Sequence, residues 1–348
     1  MASRGKKFLI GCGVGCGALI LVAVVLSVSF FAWVSRPGEL LEPENLLSSD
    51  TLGFVEWTLS LDDPGTKRFV EGLYDSTQAQ RSSGQTPLPP ELEKILLGWQ
   101  DNRNRGSFEQ LFPLSAGWLL RAGDGPEEDR HLFILSLKSA GNRLVLTDWI
   151  LGLTLGLSGQ KGAQKIAYKD ENIYQFDLPG PDPLVLFLRG NDLFFTQDLE
   201  TARQAVDRLV EPDPTREHSA VEDLLARVPE APLRGALSNE RGEIFRSWEK
   251  VAVKIENRDA VRKMTDALQG AALSGNLSED GKLLGLLELY GPDAEWASLH
   301  ADMALQAFQG GLDYEGLDLE AQARAEGNRI RIEFQLGGFF NLLDQLDG

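Results

Sequence analysis

Cysteine and histidine are scarce in this chain of 348 residues. Its two cysteines, Cys12 and Cys16, lie in an apolar N-terminal run, so the rest of the chain has no disulfide and no cysteine-ligated metal. The three histidines, His131, His218 and His300, include no pair at a metal-binding spacing. We therefore expect no metal and no other cofactor, and we assign no residue to metal or cofactor binding.

Motifs of the common catalytic sites are missing as well. The chain has no Gly-x-Ser-x-Gly elbow and no Gly-x-x-x-x-Gly-Lys-Ser/Thr loop. Carboxylates cluster at residues 62–63, 127–129 and 313–318, but these clusters fall in predicted turns or on an outward strand face. The sequence assigns no catalytic residue, which favours a protein that is not an enzyme.

Positive charge is in short supply. The chain has 34 Lys and Arg against 52 Asp and Glu, which gives a net charge of −18. Because so negative a surface repels phosphate backbones, we exclude nucleic acid as a partner.

The longest uncharged run lies near the N-terminus. Residues 8–35 carry no charge, and about 20 apolar residues are enough to cross a membrane. Residues 1–7 contain three basic and no acidic side chains, so the positive-inside rule places them in the cytoplasm. We predict a single-pass transmembrane anchor in the inner membrane, with the remaining chain extracytoplasmic, that is, periplasmic.

Two alternatives remain for this run, namely a cleaved signal peptide and lipidation at Cys12. An apolar region that continues well beyond Cys12 favours an uncleaved anchor. Four glycines, Gly11, Gly13, Gly15 and Gly17, form two overlapping Gly-x-x-x-Gly spacings. That spacing lets two membrane helices approach closely, so we assign these glycines to helix packing and to self-association through the anchor.

The remaining chain divides into a stem at 36–50 and two halves at 51–230 and 231–348. The predicted order of strands and helices in the first half recurs in the second, which suggests an internal duplication. Each half contains a hairpin with a two-residue Gly-Asn turn, at 190–191 and 327–328. Residues 219–222, Ser-Ala-Val-Glu, match a capping box and predict the start of a helix.

The last hairpin shows most clearly how these strands pack. Small apolar residues alternate with polar ones on its first strand, and large apolar residues alternate with polar ones on its second. The small apolar residues are Leu319, Ala321, Ala323 and Ala325, and the large ones are Ile330, Ile332, Phe334 and Leu336. One face is therefore core and the other meets water. We predict an α+β fold in which antiparallel sheets carry helices on one face.

Residues 46–55, Leu-Leu-Ser-Ser-Asp-Thr-Leu-Gly-Phe-Val, resemble the opening of a bacterial family of membrane-anchored or periplasmic proteins of unknown function. That family typically reads Leu-Pro-Ala-Asp-Thr before an apolar strand, where this chain has Ser-Ser at 48–49. Residues 191–193 and 198–209 are similar to the family's pattern of strand, turn and helix. The resemblance covers most of residues 46–348. It implies location and fold class, and it offers no activity or catalytic residue to transfer.

These observations favour a membrane-tethered, extracytoplasmic binding or scaffolding module whose partner is not specified. The alternatives are a carrier of an apolar ligand or lipid, and an enzyme that uses carboxylates or hydroxyls from scattered positions. An open apolar cavity favours the carrier, clustered carboxylates in a polar pocket favour the enzyme, and a filled core favours the binding module.

Overall fold

The structure is a computed structural model, and it describes most of the chain after residue 42. The described residues are 43–82, 112–123, 129–137, 148, 163–177, 183–211, 218–239, 242, 258–312 and 317–338.

The described part contains twelve strands, five α-helices and one 3-10 helix, Pro43–Leu46. The strands are β1 Thr51–Leu59, β2 Leu114–Ala122, β3 Asp129–Leu137, β4 Ala163–Tyr168, β5 Glu171–Phe176, β6 Leu184–Arg189, β7 Asp192–Thr196, β8 Leu233–Ser238, β9 Gly270–Leu277, β10 Leu283–Tyr290, β11 Asp318–Glu326 and β12 Arg329–Gly337. The helices are α1 Pro64–Ser82, α2 Leu199–Val210, α3 Ala220–Leu225, α4 Arg258–Asp266 and α5 Ala294–Gly311.

All twelve strands form a single antiparallel sheet. Its order is β11-β12-β10-β9-β8-β1-β2-β3-β7-β6-β5-β4, so β11 and β4 are the edge strands. The first strand of the domain lies near the middle, because β1 pairs with β2 on one side and with β8 on the other.

Both faces of the sheet carry hydrophobic clusters. On β1, Phe54 packs in one cluster with α2 and α3, whereas Trp57 packs in another beside Phe69 of α1. On β10, Tyr290 belongs to the first cluster, and its neighbour Leu289 packs with α4 and α5. Successive side chains of a strand point to opposite faces. We call the face under α2 and α3 face A, and the face under α1, α4 and α5 face B.

The predicted fold class is wrong on two points of architecture. The strands form one continuous sheet where we predicted several, and its helices pack on both faces where we predicted one. The prediction rested on the strict alternation in the last hairpin. The central strands do not alternate, and β10 reads Leu-Leu-Gly-Leu-Leu-Glu-Leu-Tyr, which is apolar on both faces. Strands of that kind need helices on both faces. The boundary between halves near residue 230 stays a prediction.

The membrane-spanning helix in the same prediction is not supported either. Among the residues that the structure describes, no helix is long and apolar enough to cross a membrane. The prediction of a single-pass transmembrane protein is corrected accordingly. The run at 8–35, which includes Gly11, Gly13, Gly15 and Gly17, lies outside the described residues.

Several local predictions are confirmed. Both Gly-Asn turns are present, with φ of 61° at Gly190 and 60° at Gly327. The last hairpin has the predicted register, in which Ala321 lies opposite Phe334. Ser219 caps α3 through a complete capping box, as its sequence pattern predicts.

Candidate functional site

Face A changes character along the sheet. In the first half it is mainly apolar, with a few buried polar side chains, and the second half turns polar towards β11. Two rows of face A side chains cross β10, β12 and β11 there. One row is Leu286, Glu333 and Gln322, extended onto β9 by Ser274, and the other is Leu284, Gln335 and Glu320.

These two rows line an open groove of about 650 Å³. Pro229, shortly after α3, also contributes to its lining. Leu284 keeps 37% of its surface exposed there, an unusual state for a large apolar side chain in the middle of a sheet. The strand period of two brings all these side chains to the same face, and the antiparallel register sets them side by side.

Salt bridges surround the polar end of the groove. Arg324 and Arg331 both bind the carboxylate of Glu333, with N–O distances of 3.0 and 3.1 Å. Arg329 binds Glu288 at 3.2 Å. The charges are thus matched locally, and the arginines hold the glutamates in place.

Glu288 lies at the closed end of this network. Only 2% of it is exposed, and it accepts a hydrogen bond from the Tyr290 hydroxyl. Burial and that hydrogen bond raise the pKa of Tyr290 above its ordinary value. The guanidinium of Arg227 stacks over the Tyr290 ring, 4.9 Å from its centre. These contacts make this end of face A structural.

The open end of the groove offers unpaired hydrogen-bonding groups. Within the described part of the chain, the side chains of Glu320 and Gln335 have no hydrogen-bond partner. Glu333 is a poor candidate for a general base, because two arginines already occupy its carboxylate. The arrangement therefore suits recognition by hydrogen bonds and one free carboxylate better than proton transfer.

The residues that the sequence singled out do not meet in one site. His131 accepts a hydrogen bond from Trp118 Nε1 at 3.2 Å, and His300 bonds the Trp296 carbonyl at 2.8 Å. His218 is exposed beside the capping box. The carboxylate clusters at 127–129 and 313–318 lie partly outside the described residues. Over the ranges that are described, no group of three or more His, Cys, Asp or Glu could hold a metal ion.

A second polar cluster is buried under α2. Arg121 has no exposed surface, and its Nη2 donates to the Leu46 carbonyl at 3.0 Å. Arg208 of α2 donates to the same carbonyl at 3.2 Å and to Asp50 at 3.0 Å. Nε and Nη1 of Arg121 have no hydrogen-bond partner in the part of the chain described here. Burial, followed by the charge of Arg208, lowers the pKa of Arg121 to about 9.

This cluster fixes the chain that enters the domain. Leu46 and Leu47 are fully buried, and their segment is bound to both β2 and α2 through the Leu46 carbonyl. Because no surface of Arg121 is open, a dissolved ligand has no route to it. We therefore assign the cluster a structural role.

Known proteins give no further guidance. Comparisons with protein-family models, curated proteins and solved structures find no match to this chain. The resemblance of residues 46–55 to a periplasmic family stays an expectation from the sequence.

Sequence reasoning found only part of the groove. The alternation in the last hairpin identified Glu320, Gln322, Glu333 and Gln335 as water-facing. It missed Leu284, because β10 is apolar at both parities and gives no signal of which face is open. The pairing of β10 with β12 shows which face of β10 lies in the groove. Periodicity in the sequence does not reveal which non-adjacent strands pair, so this signal could not be used.

Proposed function

We propose that this chain is a binding module whose partner lies in the groove on face A of β10, β12 and β11. The observation that carries the proposal is the groove itself, in which exposed Leu284 lies beside Glu320 and Gln335, whose side chains have no partner among the described residues. An apolar contact flanked by a few hydrogen-bonding groups is the usual composition of a recognition site.

The alternative functions have less support from the described residues. The hydrophobic side chains lie in packed clusters, and the groove is open and lined by polar as well as apolar residues, which argues against a lipid carrier. For an enzyme, the groove would need a carboxylate free to move a proton. Glu333 is held by two arginines, which leaves Glu320 without a partner carboxylate for acid–base work.

The experiment is selection of binders from a displayed random-peptide library on the full chain. Selected peptides are then titrated against Leu284→Lys, which places a long charged side chain in the groove. The matched control is Leu299→Lys on α5, since Leu299 is a leucine outside the groove with 74% of its surface exposed.

We expect Leu284→Lys to weaken the selected peptides by ~10-fold or more, because it removes an apolar contact and crowds the groove. Leu299→Lys should leave the affinity unchanged. Peptides that bind both variants as tightly as the wild type would show that the groove is not the binding site.

A further inference from the structure

Among the residues that the structure describes, the edge strand β11 presents a row of unpaired main-chain groups next to the groove. It is nine residues long, and within that part of the chain it pairs only with β12. Its hairpin closes through a two-residue turn with positive φ at Gly327, so the flanking residues Glu326 and Arg329 form a hydrogen-bonded pair. Since hydrogen-bonded and non-hydrogen-bonded pairs alternate, the N–H and C=O groups that point away from the sheet follow at every second residue. They belong to Leu319, Ala321, Ala323 and Ala325.

This edge lacks several of the features that usually protect edge strands. Natural sheets discourage pairing with short edges, charged side chains (lysine above all), prolines or bulges. Of these features, β11 has only the charged side chains, and most of them are bound in ion pairs within the sheet. The opposite edge, β4, is six residues long and carries Lys165. By contrast, β11 has neither lysine nor proline and keeps a regular register with β12 over all nine residues.

We propose that β11 accepts an extended, basic peptide segment of a partner protein as an additional strand. The proposal rests on the proposed binding function, and it names the partner and the way it binds. In this mode main-chain hydrogen bonds supply affinity, and alternate side chains supply specificity.

Side chains on the two faces of β11 define the partner's sequence pattern. On face B, Ala321 and Ala323 pack in the apolar cluster under α5, so apolar side chains from the added strand would extend that apolar surface. On face A, Glu320 has no ion-pair partner among the described residues, whereas Arg324 is bound by Glu326 and Glu333. The free charge on this edge is therefore negative, and it fits a lysine or arginine of the partner.

Net charge argues against a second copy of this chain as the occupant. At −18, two copies repel each other, while a basic segment is attracted. A segment that alternates basic and apolar residues can form main-chain hydrogen bonds with β11, pair with Glu320 and place its apolar side chains beside the alanines of β11.

The test uses the full chain and a synthetic nine-residue peptide of alternating lysine and valine, matched in length to β11. Binding is followed by fluorescence anisotropy at about 0.15 M salt, where long-range steering is screened. The key variant is Ala323→Pro. It removes an outward N–H and blocks an added strand, while the N–H groups that bind β12 remain.

Ala167→Pro on β4 is the matched control. The β4–β5 hairpin also has a two-residue turn, with Tyr168 opposite Glu171, so the Ala167 N–H points outward from the other edge. We expect Ala323→Pro to weaken the peptide by at least ~10-fold, the equivalent of about one lost hydrogen bond, and Ala167→Pro to leave it unchanged. Glu320→Gln should weaken it by up to ~5-fold.

A second measurement covers the case in which Ala323→Pro unfolds. The wild-type chain is titrated with the same peptide N-methylated at alternate residues, in each of the two possible phases. One phase should abolish binding, since it removes the N–H groups that meet β11, and the other should bind as the parent peptide does.

Equal loss in both phases, or equal affinity in both proline variants, would overturn the added strand. So would a dimer of the wild-type chain that Ala323→Pro converts to monomer, because the occupant would then be a second copy. If library peptides are lost in Leu284→Lys but bind Ala323→Pro normally, the groove function stands and only the added strand fails.

Discussion

One face of a single sheet serves two purposes at its two ends. In the first half, face A is mainly apolar, and the rings of Phe187 and Phe194 stack at 4.3 Å with no exposed surface. In the second half the same face carries Glu320, Gln322 and Glu333 beside Leu284 along an open groove. Helices therefore cover the mainly apolar stretch of the face, and the more polar stretch is the one available to a partner.

The largest expected effect tests the apolar end. Phe194→Ala should lower the free energy of unfolding by about 3–5 kcal/mol, because it leaves a cavity in a fully buried stack. Gln322→Ala, on the same face at the other end, should change it by less than ~0.5 kcal/mol. Chemical denaturation of both variants measures the contrast. Similar losses would mean that the groove end is also structural.

The buried arginine gives the next effect. Arg121→Met should raise the free energy of unfolding by about 1–4 kcal/mol, since it replaces a desolvated charge by an apolar side chain of similar length. The Leu46 carbonyl keeps its bond from Arg208. The lowered pKa of Arg121 also predicts that removing its charge stabilises the protein. Below a pH of about 9 the folded state holds this charge, which is more stable in the unfolded chain.

The control for that variant is Arg208→Met. It removes the arginine that pairs with Asp50 and should lower the free energy of unfolding. Thermal melting at neutral pH compares the two. If Arg121→Met lowered the free energy of unfolding instead, the charge of Arg121 would make a net stabilising interaction in the folded protein.

A smaller effect is expected where the groove end meets face B. A Cβ at Gly285 would lie 2.1 Å from Cζ of Phe334, so the ring has to move in Gly285→Ala. We expect a loss of about 1–3 kcal/mol by denaturation, the usual consequence of overpacking. Gly310→Ala is the control, because nothing lies within 4 Å of that Cβ position. Equal stability in both would mean that face B is loosely packed behind the groove.

The smallest effect concerns pH. Burial raises the pKa of Asp50, but hydrogen bonding from Ser48 and the charge of Arg208 outweigh it and lower the pKa overall. Because its pKa is lower in the folded than in the unfolded state, Asp50 contributes to stability above about pH 4. That contribution is lost as the pH falls through the folded pKa. Asp50→Asn should therefore reduce stability at pH 7 by less than ~1 kcal/mol, since the carboxylate is partly exposed. The difference from the wild type should shrink as the pH falls below about 4 in acid titrations.

Local rules predicted local structure well. The Gly-Asn turns and the Ser219 capping box depend on neighbouring residues, and the structure has them as predicted. The register of the last hairpin follows from its turn and its alternation. These features need no information from distant parts of the chain.

Long-range pairing is where the sequence was insufficient. The pairing of β1 with β8 joins segments nearly two hundred residues apart, and no periodicity signals it. That pairing merges the strands into one sheet. The second set of helices follows from it, because a wide sheet with apolar residues at both parities has to be covered twice. The site was half predicted for the same reason: the hairpin revealed its own polar face, while the partner strand β10 did not.

The Leu46 carbonyl accepts hydrogen bonds from both Arg121 and Arg208, and this determines when the start of the domain is fixed in place during synthesis. Arg208 leaves the ribosome 162 residues after Leu46, and the β8 partner of β1 follows later still. Until then the first strand of the nascent chain lacks one of its two neighbours, and the Leu46 carbonyl has only one of its two arginine donors. The start of the domain is consequently secured long after it is synthesised, which leaves it exposed to proteases and to other unfolded chains when synthesis stalls.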